Sequence, residues 1–447
     1  MVKVGFNYGN EKVLVELPED NLTIVKNRSF PGLKDLEKEV SSALAAPIGT
    51  EQLENSLSPQ DKVAIIVDDV TRDTPVHSIF PLVFRKVKSL GVKSENVTVV
   101  MATGTHKRQT VEDLLSRIGG KPDEGVNLHV HSALDKASLT LLGVTSLGTP
   151  VWINSEVADA DYKIGIGGVR PHPEAGYGGG GKIILPGVSA WESVGKNHLL
   201  YLSPRSRMGV IEGNPFRSDI DECAEKAGLN FVVNVVLNGE GEVAGVFAGD
   251  PLKVHREGVE LAKKICENRI DEKADILIMG FGPKDDTVWQ ILGIAYTLSV
   301  IDQTVKEGGS VILVGSGREG IYVPFKGIHH LNYKGELTGT QKYVELLKTS
   351  PSTAELLSIA IRGEAPYPEL GAKGVLMSRL WNSRRLIIAS NNLNQKEVGW
   401  FGERIWGVDK AINEALKEHG KDAKIVAIPE IFSPKSSMKP FPIPKNF

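Results

Sequence analysis

Cysteine is almost missing from this chain: Cys223 and Cys266 are the only two in 447 residues, and no CxxC pair occurs. That argues against a disulfide scaffold and against a cysteine-ligated zinc site, and leaves two isolated buried thiols in a reducing cytosol as the expectation. Long apolar runs are missing too. No stretch of about 18 apolar residues occurs, so no membrane-spanning helix is expected, and Met1-Val2-Lys3-Val4-Gly5 lacks the charged-then-apolar pattern of a secretory signal. A cytoplasmic protein is the expectation. An excess of charge is the third absence. Lys+Arg number 52 against 55 Asp+Glu, a formal charge of -3, which provides no basic field to hold a phosphate backbone. A nucleic-acid binder is disfavoured and a small-molecule partner preferred. With 41% apolar residues the chain can bury a real core, and its length suits two or three domains at about 100 to 200 residues each.

What is present is alternation. Residues 2 to 30 mix short apolar stretches with Gly, Asn and Pro and read as a β-meander. Apolar spacing then becomes helical in "PGLKDLEKEVSSALAAP", and strands alternate with amphipathic helices beyond it. Strand 62–69 leads into a helix from Thr74 to about Leu90, strand 96–105 into one from about Thr110 to Ile118, and strand 161–168 into a glycine-rich loop and a helix containing Trp191 to Leu200. A long charged helix spans 250–270, followed by strands 274–280, 310–316, 384–390 and "AKIVAIP". Unbroken apolar strands imply burial on both faces. The fold class is therefore α/β: two domains with mainly parallel sheets flanked by helices, the first over 1–270 and the second over 271–424, with the active site in the cleft between them. The tail 425–447 is available to pack back on the first.

In open α/β sheets, ligands bind beyond the carboxyl ends of the strands. Those ends are unusually polar here. They carry Asp68-Asp69-Val70-Thr71-Arg72, Thr103-Gly104-Thr105-His106 and Arg170-Pro171-His172. A lone Asp-Asp after a strand is as readily a turn or helix cap, but three such coincidences at one edge point to a site. The segment Gly176 to Lys182 fits the G-x-x-x-x-G-K spacing of a phosphate-binding loop and then fails it, because Ile183 stands where a Mg²⁺-binding Ser or Thr is needed. Gly178 to Gly181 still permit close approach of backbone N–H groups to an anion or a planar ring, with the Lys182 amine at their end as a point charge or a nucleophile. Of the ten histidines, His106 and His172 lie at strand ends where a base meets a ligand. His129 and His131 share a strand face without a third metal ligand. His255 and His419, on charged helices, are expected to face solvent. His198 is ambiguous alone, since one imidazole cannot hold a transition metal.

The set Asp69-Val-Thr-Arg72, Gly104-Thr-His106, His172 with Lys182, and Asn197-His198 resembles the LarA family of nickel-dependent lactate racemases, in order and spacing, through about residue 270. The resemblance implies a nickel-pincer nucleotide cofactor, a pyridinium mononucleotide whose two sulfur-bearing arms hold nickel. It implies Lys182 as the covalent anchor, His198 as the fourth nickel ligand, and His106 and His172 as the acid/base pair. Asp69, Val70, Thr71 and Arg72, with Gly179, Gly180 and Gly181, would bind the nucleotide; Arg72, Trp289 and Gln290 would meet substrate. The implied reaction inverts a carbon bearing hydroxyl, hydrogen and carboxylate. Because that carbon acid is very weak, hydride moves to the cofactor while an imidazole takes the hydroxyl proton, and hydride returns to the opposite face of a planar 2-keto acid. The implied partners are a small-molecule 2-hydroxy acid and the cofactor-synthesis enzymes that mature the protein, with no nucleic acid and no membrane.

One position departs from the family pattern. A Lys that helps bind the lactate carboxylate should follow Trp289-Gln290 by three residues, and Gly293 stands there. A cation is lost and volume is gained, which favours a larger 2-hydroxy acid, such as a sugar acid or an aryl- or branched-chain acid. Two other readings stay open on the residues alone. One is a nucleotide-phosphate enzyme using "GYGGGGK"; the other is a non-catalytic protein that binds the cofactor or a hydroxy acid.

Overall fold

A computed structural model describes residues 1–9, 11–106, 108–281, 295–318, 346–347, 349, 351–365, 368–393, 403–405, 407–431 and 435–445. Strand Val63–Asp68 lies inside a six-stranded sheet ordered Val243–Gly249, Phe231–Leu237, Tyr162–Gly168, Val63–Asp68, Val97–Ala102, Asn127–Val130. Neighbours are parallel except Val243–Gly249, which runs antiparallel to Phe231–Leu237. The unbroken apolar run "VAIIV" has a direct cause. Val63, Ile65 and Val67 enter one core and Ala64 and Ile66 the other, so both faces are covered. Helix Val76–Ser89 closes the first of these faces with Val76, Ile79, Phe80, Val83, Phe84 and Val87 on one stripe. Helices Pro215–Lys226 and Pro251–Cys266 close the other. Each such side chain, fully buried, stabilises the fold by about 1.5–3 kcal/mol.

From Val63–Asp68 the chain first adds strands on one side and then returns to place Tyr162–Gly168 on the other. The gap between the loops leaving these two strands is a topological switch point, where a ligand crevice is expected. The second sheet repeats the scheme. Its order is Glu403–Ile405, Arg385–Ala389, Val305–Val314, Ala274–Gly280, Ile425–Ile428, Leu22–Ile24, and every neighbouring pair is parallel.

The structure corrects two local expectations. The opening meander is a two-stranded hairpin, Val2–Tyr8 with Glu11–Leu17, and Leu22–Ile24 instead edges the second sheet against Ile425–Ile428. The hairpin's Val4, Phe6, Val15 and Leu17 bury against Ile276, Ile278 and Ile312 of that same sheet. The long charged helix stops at Cys266, and Glu267–Ile270 becomes a strand because Phe441–Pro444 pairs with it. The segment before that pairing reaches the first sheet: the Ser437 amide and hydroxyl donate to Asp73 at 2.7 and 2.8 Å. Among the described residues, no helix is long and apolar enough to cross a membrane.

Candidate active site

Asp69 follows the last residue of Val63–Asp68 and organises the turn there. It accepts from the Thr71 amide at 3.0 Å and the Thr71 hydroxyl at 2.6 Å, so the bland turn-forming role is real. Its other oxygen does something else. Asp69 Oδ2 lies 2.5 Å from His106 Nδ1, while Arg72 Nη2 lies 3.2 Å from His106 Nε2. An arginine only donates, so Nε2 accepts and the Nδ1 proton points to Asp69. Gln109, unremarkable in sequence, donates to the same carboxylate oxygen at 3.0 Å and accepts from the Val70 amide at 3.2 Å. Burial would raise the Asp69 pKa, but the His106 hydrogen bond, with His106 and Arg72 nearby, wins and holds it well below the carboxylate range. Val70 is exposed. Asp68 is structural, bonded to Thr74 at 2.6 Å and paired with Arg117.

His172 sits in a tight hairpin, Pro171–His172 against Gly176–Tyr177. Gly176 has φ +72, and a Cβ there would lie 2.1 Å from the Val210 carbonyl, so only glycine closes this turn. The turn folds Glu174 back on His172, with Oε2 3.0 Å from Nδ1. Asn214 holds it there, donating to the Glu174 carbonyl at 2.9 Å while capping helix Pro215–Lys226. Burial would raise the Glu174 pKa, yet His172 holds it far below the usual range. His172 itself is pushed down to about 3 by burial and then by Lys182, against the pull of Glu174. Two imidazoles thus stand beyond strands Val97–Ala102 and Tyr162–Gly168, on either side of Val63–Asp68, each with a carboxylate beside Nδ1. Glu174 escaped the sequence reading, although a His-Pro-Glu spacing at a strand end was the available signal.

Lys182 and His198 flank one buried ring. Phe216 lies 5.6 Å from Lys182 Nζ and 5.0 Å from the His198 ring, with the His172 ring at 6.4 Å. Lost hydration drives the Lys182 amine down to about 7, Glu174 opposing this and Arg217, Arg72 and Arg170 adding to it. His198, on helix Trp191–Leu199, lies 2.7 Å through Nδ1 from the Val194 carbonyl one turn earlier. That carbonyl can only accept, so the proton is on Nδ1 and Nε2 carries the lone pair. Asn197 fixes the helix through Asp219 at 2.8 Å, which also accepts from Thr145 and Thr149 at 2.5 and 2.7 Å.

The glycine loop differs from expectation. The Gly178 amide donates to the Arg170 carbonyl at 2.7 Å and the Gly180 amide to Asn234 Oδ1 at 2.8 Å, so neither is presented to an anion. Close packing is what demands glycine. A Cβ on Gly180, at φ +58, would meet His255 at 2.8 Å, and one on Gly181 would meet Ala224 at 2.8 Å. His255, expected at the surface, is completely buried and donates to the Gly178 carbonyl at 3.0 Å. The loop is therefore clamped against two helices, with Arg217 holding the Gly179 carbonyl at 3.2 Å. Trp289, Gln290 and Gly293 lie outside the described residues.

His131 is a core histidine, 3% exposed and bonded through Nε2 to the Ser189 carbonyl at 3.0 Å, not half of a metal clamp with His129. Burial holds it down to about 4. The unfolded chain takes up a proton near pH 6.5 that the folded chain refuses until about pH 4, so stability is full above 6.5 and falls toward 4. At 1.36 kcal/mol per unit the loss reaches roughly 3 kcal/mol. Urea midpoints at pH 7 and 4.5 should record it, and His131→Gln should shrink the difference by about that amount; an equal difference in both proteins would contradict it.

The chain is similar to known lactate racemases in sequence and fold. The Lactate racemase N-terminal domain model matches residues 8–209. A lactate racemase of Thermoanaerobacterium thermosaccharolyticum is 30% identical over 338 residues, covering 73% of this chain and 78% of that protein. The lactate racemase of Lactiplantibacillus plantarum is 26% identical over 437 residues, covering 96% and 98%. The structure of the lactate racemase apoprotein from T. thermosaccharolyticum superposes with a TM-score of 0.77 at 26% identity, covering 96% of this chain and 98% of that one. A Thermotoga maritima structure at 19% identity and TM-score 0.58, covering 84% and 96%, shares the fold.

Proposed function

This chain belongs to the lactate racemase family and is an isomerase that racemises hydroxy acids; from that premise we propose that its substrate is a 2-hydroxy acid larger than lactate and that its cofactor is a nickel-pincer nucleotide on Lys182 and His198. The observation that carries this reading is the pair of carboxylate-backed imidazoles, Asp69–His106 and Glu174–His172, beside a lysine amine lowered to about 7 and an imidazole with its Nε2 lone pair available.

The residues suit such a group. Among the described residues no three His, Cys, Asp or Glu side chains cluster to hold a metal, so a metal at His198 needs its other donors from a cofactor. An amine near neutrality is available for acylation, and Phe216 between it and His198 offers a flat apolar wall. When bound, the nucleotide supplies the hydride acceptor. The protein does the rest. With Nδ1–H committed to Asp69, His106 Nε2 is the basic atom that takes a hydroxyl proton, and an arriving hydroxyl displaces Arg72 toward an anion, the substrate carboxylate or the cofactor phosphate. His172 does the same from the Pro171–Tyr177 hairpin, with Glu174 stabilising the charge that forms. One imidazole deprotonates the oxygen of one enantiomer, and the other returns a proton to the oxygen of its mirror image. Helix Pro368–Ser383 packs across from His198 on the side of the second sheet and helps exclude water from the cleft.

Gly293, where the resemblance implies a Lys, brings a smaller side chain and no cation, and this favours a larger substrate. Protein matured together with the cofactor-synthesis enzymes should be assayed in deuterated water with lactate, branched, aryl and sugar-derived 2-hydroxy acids. Longer acids should be inverted faster than lactate with the α-hydrogen retained. Lactate turned over as fast as the best of them, or deuterium washed into the α-carbon, would overturn the reading.

A further inference from the structure

We infer that Lys373, carried by helix Pro368–Ser383, is the cation that binds the carboxylate of the hydroxy acid. This rests on the racemase reading above. The helix approaches from the side of the second sheet and packs against Trp191–Leu199, which bears His198. Its first turn is tied to the strand end next to His106, because Thr105 donates to Glu369 Oε1 at 2.6 Å. Lys373 follows Glu369 by one helical turn and shares its face. That face looks into the site: Glu369 acts through space on His198, and Lys373 acts on both His198 and Glu174.

Most charges around the two imidazoles are committed. Asp69 is bound to His106 and Glu174 to His172; Arg170 is paired with Asp73 and Arg217 with Asp221. Arg72 holds the Nε2 atom of His106 until the substrate hydroxyl displaces it, and then serves the cofactor phosphate or shares the carboxylate. Lys182 loses its charge once acylated. Lys373 is different. Among the described residues it forms no hydrogen bond and no ion pair, although it is half-buried, and Glu369 at the favourable i,i+4 spacing is engaged with Thr105 instead. Its ammonium has carboxylates in the neighbourhood but no bonded acceptor, so its donors are open to a ligand. A bound carboxylate beside His172 supplies the missing partner, in a site where screening by water is weak. It also orients the substrate, with the hydroxyl-bearing carbon lying between the two imidazoles.

The test uses matured wild type, Lys373→Gln and Lys373→Arg, with nickel content and intact mass measured first and initial racemisation rates then measured on the best acid of the panel. Lys373→Gln is expected to load nickel and the mass adduct normally, to raise KM about 10- to 100-fold with kcat changed far less, and to be largely rescued by Lys373→Arg. Wild-type KM in Lys373→Gln, or a fall in kcat alone, would overturn the assignment while leaving the racemase reading intact. A fully loaded wild type that inverts no acid in the panel would overturn that reading and this assignment with it.

Discussion

Matured enzyme carrying His172→Asn should lose about 10²- to 10⁴-fold of its racemisation rate in both directions, while still oxidising one enantiomer to the keto acid in a single turnover. His106→Asn should show the same loss with the opposite enantiomer preference. The reason is geometric. His106 has Nδ1 against Asp69 and Nε2 facing Arg72, and His172 is held at Nδ1 by Glu174 Oε2 and by the Glu174 and Ala175 amides, which leaves its Nε2 for chemistry. Inversion needs both, because oxygen loses its proton on one side and regains it on the other, whereas a half-reaction needs one. Acid-quenched single turnovers starting from each pure enantiomer measure this directly. Trapping of keto acid from both enantiomers in either variant would remove that histidine from the base role.

His198→Ala is expected to remove nearly all nickel, and at least about 100-fold of activity, while leaving the protein folded and the mass adduct on Lys182 in place. Nδ1 of His198 is spent on the Val194 carbonyl, so Nε2 is the atom available to a metal, and no neighbouring His, Cys, Asp or Glu cluster among the described residues can replace it. Its ring packs edge-on against Phe216, so truncation leaves an imidazole-sized space. Added imidazole should therefore restore part of both the nickel content and the rate. Unchanged nickel in His198→Ala would contradict the ligand role.

The strand ends were readable because parallel-sheet chemistry concentrates at them: Asp69, His106 and His172 all lie beyond the carboxyl ends of strands of one sheet. The groups behind them were harder to see. Glu174 works only because the Pro171 to Tyr177 hairpin folds it onto His172, and Phe216 is one apolar residue among many until helix Pro215–Lys226 is docked. Glu369 lies 264 residues beyond Thr105 in sequence, and no local pattern connects it or Lys373 with Thr105 and His198. The same non-locality hid the pairing of Leu22–Ile24 with Ile425–Ile428 and of Glu267–Ile270 with Phe441–Pro444. Spacing did identify the glycine run, but not the packing that requires it: Gly180 and Gly181 admit His255 and Ala224 at distances no Cβ tolerates.

Intact-protein and peptide mass spectrometry, with metal analysis, on protein produced with and without the cofactor-synthesis enzymes is the most direct test of a tethered, histidine-completed metal site. The account predicts one nickel per chain and one covalent adduct, mapped to the peptide containing Lys182 and absent when those enzymes are omitted. Active racemase with an unmodified Lys182 peptide and no stoichiometric nickel would contradict it.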